Sequence, residues 1–136
     1  MAISLTVFGI PNYLTCYETF GMAVTEEIVR TVSEALRSAN PNAQQTARIS
    51  EDEFAVLYAA DSEEVLSMQL QKSTEEFFGN ISDYNAYKEH AWQLEVNFGY
   101  TKLAPNWSGI LLENLIHLAL GEMYLNRLRA NLWSAM

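Results

Sequence analysis

Residues Ala47 to Tyr58, reading ARISEDEFAVLY, constrain this chain more than any other segment. A short strand-like run, a tight acidic turn and a second, apolar run together predict a β-hairpin. Glu51, Asp52 and Glu53 stand in a row where the two strands reverse. Carboxylates at a strand reversal admit two readings. They can hold a divalent cation for nucleotide chemistry, or they can form a polar turn on a solvated edge.

The rest of the chain arranges itself around that hairpin. Ile3, Leu5 and Val7 alternate with Ser4 and Thr6, which predicts a strand over Ile3 to Phe8. Gly9 to Gly21 reads as irregular, with Pro11 and Asn12 as turn formers. Thr25 to Ser38 reads as a helix with Val24, Ile28, Val29, Val32 and Leu36 on one face. Glu26 and Glu27 suit its positive end, and Asn40-Pro41-Asn42 stops it. After the hairpin, Asp61 with Glu64 predicts a capped helix running to Phe78 and ending at Gly79. Residues 80–90 read as a polar loop or a short extra helix. Trp92, Leu94, Val96, Phe98 and Tyr100 alternate with polar residues and predict a strand, which Pro105-Asn106 breaks. Ser108 to Asn131 reads as an apolar helix with Leu111, Leu112, Leu115, Ile116, Ala119, Met123 and Leu128 as its core stripe. The order is βαββαβ with an added C-terminal helix, an α+β sandwich of ferredoxin type.

Charge narrows the partners. Against 8 Lys and Arg stand 17 Asp and Glu, a net charge of −9. That field disfavours nucleic acid and anionic membrane surfaces, and disfavours a nucleoside triphosphate unless a cation or local basic patch intervenes. Cys16 is alone, which leaves no disulfide framework or thiolate cluster and fits a reducing, cytoplasmic setting. No run of about 18 apolar residues offers a membrane span. A single domain over residues 1–136 is expected.

The element order and several segments resemble the GGDEF domain of the diguanylate cyclase family. Ser50-Glu51-Asp52-Glu53-Phe54 stands at the name-giving five. Gly21 and Thr25-Glu26-Glu27-Ile28-Val29 resemble its glycine-then-helix segment, and Leu94-Glu95-Val96-Asn97-Phe98-Gly99 its late strand. Met123-Tyr124-Leu125-Asn126-Arg127 resembles its last helix. The resemblance implies a palm-type nucleotide cyclase fold. In that family two domains face each other, each holding one GTP, and metal ions neutralise the triphosphates.

Carried over residue by residue, the resemblance implies a degenerate site. Asp52 and Glu53 keep the two acidic hairpin positions and make a partial metal site, one that holds magnesium only if GTP is bound. Ser50 and Glu51 replace the turn glycines, crowd the phosphates and add charge; a turn needing positive φ would cost about 1 kcal/mol more. The metal-binding aspartate at the end of the first strand falls on Gly9, which has no ligand atom, and the next aspartate on Pro11. The guanine-contacting pair falls on Tyr17 and Glu26. Of the two basic residues of the last helix, Arg127 keeps its charge and Asn131 loses it. The product-inhibition Arg-x-x-Asp falls on Asn42 and Gln45, so no such site is expected.

The function implied is a catalytically inactive regulatory or dimerisation domain in cyclic di-GMP signalling. Its expected partner is an EAL phosphodiesterase domain in the same polypeptide, from which this domain would be cut, the whole being cytoplasmic or the cytoplasmic part of a membrane-anchored protein. A homodimer is a further expectation. The alternatives are a GTP sensor without turnover, docking GTP through Glu26 and Arg127 with a metal on Asp52 and Glu53, and a residual cyclase. The plainer readings stand beside these. Without its companion ligand the acidic turn favours simple solvation. His117 reads as a partly buried residue of an apolar helix, His90 as isolated and Cys16 as a loop thiol. Tyr13, Tyr17 and Phe20 read as packing under the loop, or as the lining of a pocket.

Overall fold

The computed structural model describes residues 2–87, 92–103 and 112–135. Its elements are β1 (Ala2–Gly9), α1 (Tyr13–Phe20), α2 (Met22–Ala39), β2 (Gln45–Ser50), β3 (Glu53–Ala60), α3 (Glu63–Tyr87), β4 (Asn97–Leu103) and α4 (Leu112–Ala135). The strands form one antiparallel sheet in the order β2-β3-β1-β4, an α+β architecture of palm type.

Alternation along β1 decides the layering. Leu5 and Val7 point to one face and pack with Ala55, Ala119 and Met123. Phe8 points to the other and joins Phe54, Val56 and Tyr58 against Ile28, Val32 and Leu36 of α2 and Leu66, Phe77 and Ile81 of α3. Helices α2 and α3 therefore cover one face and α4 the other. A two-layer sandwich leaves one sheet face bare; here the C-terminal helix supplies a third layer. Gly99 makes that layer close. A Cβ there would overlap the Met123 backbone nitrogen and lie 2.5 Å from the Ala119 carbonyl oxygen.

Several predicted boundaries move, each for an identifiable reason. The segment after β1 is not wholly irregular, because Tyr13–Phe20 is helical. It buries only Cys16, so it has no apolar period to read. Gly21 then joins α1 to α2 at φ 87°, a conformation closed to ordinary side chains. Because α2 begins at Met22, Glu26 and Glu27 fall beyond its first turn and do not serve its dipole as expected. The helix ends at Ala39, and Asn40 closes it by donating from Nδ2 to the Leu36 carbonyl at 2.7 Å.

Ser62, not Asp61, caps α3: its Oγ accepts the Val65 N–H at 3.2 Å. The helix also runs through Gly79 to Tyr87. Phe77 and Ile81, both buried, lie four apart on one face, and their packing overrides the glycine. The late strand starts at Asn97 rather than Trp92. Leu94 is held instead by a side chain, its N–H donating to Asn85 Oδ1 at 2.8 Å and its carbonyl accepting from Asn85 Nδ2 at 3.0 Å. An amide on α3 thus takes the place of a neighbouring strand. His90, Pro105-Asn106, the helix start at Ser108, and Leu111 lie outside the described residues. Among the described helices, none is long and apolar enough to cross a membrane.

Candidate functional site: the acidic hairpin and the groove beside it

The hairpin turn is tight but unstrained. Strand β2 stops at Ser50, β3 starts at Glu53, and the register shifts between Arg48 and Ser50. Ile49 is the extra residue of this bulge. Arg48 Nε donates to the Ser50 carbonyl at 3.1 Å and the Glu51 carbonyl at 3.2 Å, so the guanidinium ties the turn from inside. No described residue other than glycine has positive φ. The penalty expected for Ser50 and Glu51 in place of glycine does not arise: the bulge and the Arg48 clamp give the turn another route.

Register confirms which positions face one another. Gly9 pairs with Glu53 on one side and with Asn97 on the other. The space a side chain at Gly9 would use is taken: a Cβ would lie 2.7 Å from Met123 Sδ and 3.0 Å from an Arg127 guanidinium nitrogen. Arg127 Nε donates to Asn97 Oδ1 at 3.0 Å, and its guanidinium lies 5.4 Å from the centre of the Tyr124 ring. Tyr124 Oη donates to Glu53 Oε2 at 2.7 Å. Ser50 Oγ lies 2.7 Å from Glu53 Oε1 and 3.4 Å from Asp52 Oδ1. Donating to Glu53 is the main reason the Tyr124 phenol is pushed above its ordinary value; its own desolvation and the nearby carboxylates add to this, and Arg127 opposes it.

A hard divalent cation wants several carboxylate and water oxygens around an open position. Here both Glu53 oxygens are engaged by hydroxyls of the same chain, and Gly9 contributes no ligand. A fixed guanidinium stands where a cation's charge would be needed. Among the described residues no three His, Cys, Asp or Glu side chains converge on one point. The residues present do not fit the metal that the acidic turn suggested.

On the other side of the hairpin a groove of about 780 Å³ runs between α1, α2 and β2. Tyr17, Glu26, Arg30, Arg37, Arg48 and Glu51 line it. Glu34 lines it too, so its three arginines stand among three glutamates, Glu26, Glu34 and Glu51, and the groove carries mixed rather than net positive charge. The candidate residues consequently divide. Glu26 lies in the groove with Tyr17, whereas Arg127 joins Asp52 and Glu53 on the α4 side and does not line it. Tyr13 and Phe20 pack against the core, Tyr13 also lines the groove beside Tyr17, and Tyr17 is exposed. His117 is exposed rather than partly buried, and Cys16 is a buried helical thiol rather than a loop one.

Not expected from the sequence are Met123 in the space beside Gly9, Tyr124 on Glu53, Asn97 on Arg127, and Arg30, Arg37 and Arg48 as groove residues. Arg30 and Arg37 stand seven apart on one helix, which puts them on one face, a signal that was available. Nothing in the sequence signals the approach of Met123 to Gly9, because it depends on how α4 crosses the sheet.

Solved structures similar in fold include an EAL/GGDEF domain protein from M. capsulatus, with TM-score 0.77 and 18% identity over 94% of this chain and 79% of that one. The active GGEEF domain of a diguanylate cyclase from Vibrio cholerae matches with TM-score 0.76 and 12% identity, over 95% of this chain and 78% of that one. The GGDEF domain of DgcB from Caulobacter crescentus, solved in complex with c-di-GMP, gives TM-score 0.72 and 20% identity over 93% and 72%. At these identities the likeness concerns the fold. No curated protein matches the sequence. The family model described as diguanylate cyclase, GGDEF domain, matches residues 2–130, nearly the whole chain, whose sheet order, hairpin and α4 have just been set out. The chain belongs to the GGDEF domain family.

Proposed function

We propose that this domain is a catalytically inactive GGDEF module that regulates cyclic di-GMP signalling, attached to an EAL phosphodiesterase domain and acting as a homodimer. The observation that carries the inactivity is the filled position beside Gly9: Met123 and Arg127 occupy the room where the family's strand-end carboxylate would sit. Phosphoryl transfer depends on charge stabilisation of the reacting phosphates. With Glu53 held by Tyr124 and Ser50, its carboxylate is not free to hold a metal ion that would supply that charge. The EAL partner and the cytoplasmic setting rest on the family and on an EAL/GGDEF protein among the similar folds. Incubating the purified chain with GTP and magnesium or manganese tests the reading. No cyclic di-GMP is expected, and its formation would establish a residual cyclase instead.

The groove favours a second reading, a GTP sensor without turnover. Tyr17 and Glu26 offer hydroxyl and carboxylate partners for a base edge, and Arg30, Arg37 and Arg48 offer charge for phosphates, against which Glu34 and Glu51 on the same walls work. In this form the sensor needs neither Arg127 nor a metal on Asp52 and Glu53. Calorimetry with GTP, with and without magnesium, separates the two. Saturable binding lost in Arg37→Ala supports the sensor; no heat at millimolar GTP supports the plain regulatory module.

A further inference from the structure

A helix lying on one face of a sheet needs apolar residues on its inner side only. Helix α4 has them on both sides. Ile116, Ala119, Leu120 and Met123 face the sheet. Directly opposite, Leu118, Leu125 and Leu128 point into solvent, at 53%, 45% and 55% exposure, so Leu128 is not part of the core stripe expected from the sequence. With Gly121 they are spaced three, four and three residues apart. That is the repeat by which one helix packs along another, with Gly121 leaving room for close approach.

We propose that this outer face of α4 is the contact surface for a second copy of the same chain, the two α4 helices lying antiparallel. The inference rests on the homodimer part of the function proposed above and names its surface. Two features commit the face to its own copy. The leucine seam is self-complementary, as a two-fold interface requires. Its charged edge is self-complementary as well. Glu122 and Arg129, both exposed, flank the same side of the seam two turns apart. Antiparallel helices bring like edges together, so Glu122 faces the partner's Arg129 and Arg129 faces the partner's Glu122. A parallel pair forms neither contact. The described seam, from Leu118 to Leu128, is only about 15 Å long, so the dimer is expected to be reversible and dependent on concentration.

Sedimentation equilibrium of the full chain over a range of concentrations tests this. A monomer–dimer equilibrium is expected, abolished by Leu125→Glu with Leu128→Glu while circular dichroism stays unchanged, since both leucines are exposed. Glu122→Arg and Arg129→Glu should each weaken dimerisation about tenfold, and the two together should restore it. A monomer at every concentration overturns both this inference and the homodimer. A dimer that survives the leucine changes overturns the inference alone and leaves the homodimer standing on another surface. A double charge variant that stays weak overturns the antiparallel arrangement.

Discussion

At the scale of single residues, Gly9 and Cys16 carry the sharpest consequences. Restoring a carboxylate by Gly9→Asp would push against Met123 Sδ, 2.7 Å from the new Cβ, and would set the charge beside Arg127. The carboxylate gains a fixed guanidinium, not a cation. Stability should fall by about 1–3 kcal/mol from overpacking, and magnesium should add no thermal shift to the variant. Adding Met123→Ala should relieve the crowding; a magnesium-dependent shift in Gly9→Asp alone would contradict the geometry. Cys16 is buried, and its thiol is pushed up first by desolvation and then by Glu95. Its alkylation in the native chain should be at least about tenfold slower than in urea. The thiolate forms more readily in the unfolded chain, so its contribution to stability is complete below the ordinary thiol value. It declines as pH rises through that value towards the raised native one, which urea melts across the alkaline range of the wild type and Cys16→Ala would reveal. The candidate site is half legible at this scale. Asp52, Glu53 and the missing ligand at Gly9 can be read from the sequence, because register follows from alternation. Met123, which fills the space beside Gly9, and Tyr124, which holds Glu53, cannot, because both come from a helix distant in sequence.

At the scale of elements, two glycines in outwardly similar settings should respond oppositely. Gly79 lies inside α3 with nothing within 4 Å of the position a methyl group would take, and its φ is not positive. Gly79→Ala should therefore stabilise the chain by about 0.5–1 kcal/mol, through helix propensity and a less flexible unfolded state. Gly99 lies inside β4 where α4 crosses, and a Cβ there meets helix backbone rather than a yielding side-chain end. Gly99→Ala should cost roughly 3 kcal/mol or break the α4 contact. Chemical unfolding of the pair measures both signs in one experiment. The same contrast explains what the sequence can show of the elements. From the sequence Gly99 reads as one position of an alternating strand and Gly79 as a helix end. Packing of Phe77 and Ile81 overrides that signal, as Asn85 overrides the strand pattern at Leu94. The core of α2 is legible because one face of it is buried and the period is clean, and β1 because its apolar residues alternate with Ser4 and Thr6. Strand β3, covered on both faces, shows instead as a continuous apolar run. Strand β2, which buries none of its residues, is legible only through the turn that joins it to β3. Helix α1, with a single buried residue, has no period to find.

For the whole molecule the question is whether α4 is an appendage to a ferredoxin-like core or part of what makes the sheet stable. The antiparallel sheet with α2 and α3 is complete as a topology without it. Its other face, however, carries Leu5, Val7 and Ala55, buried to 2%, 0% and 7% exposure with Ile3 and Leu57 beside them. Uncovering side chains of this kind costs about 1.5–3 kcal/mol each. Three or four of them amount to roughly 5–10 kcal/mol, which is most of the 5–15 kcal/mol that a domain of this size possesses. Truncation after Leu103 should therefore remove the cooperative transition altogether rather than lower its midpoint. Thermal and urea unfolding followed by circular dichroism, with size-exclusion chromatography, would show a sloping, non-cooperative signal and an expanded or aggregated chain. A truncated chain that stays compact and unfolds in one sharp step would mean that the sheet stands on α2 and α3 alone. In that case the Met123 and Arg127 contacts at Gly9 would be additions to a finished fold. If the transition is lost, the helix that closes the sheet is also the one whose Met123 and Arg127 fill the space beside Gly9, and the chain cannot reopen that space without giving up part of its own core.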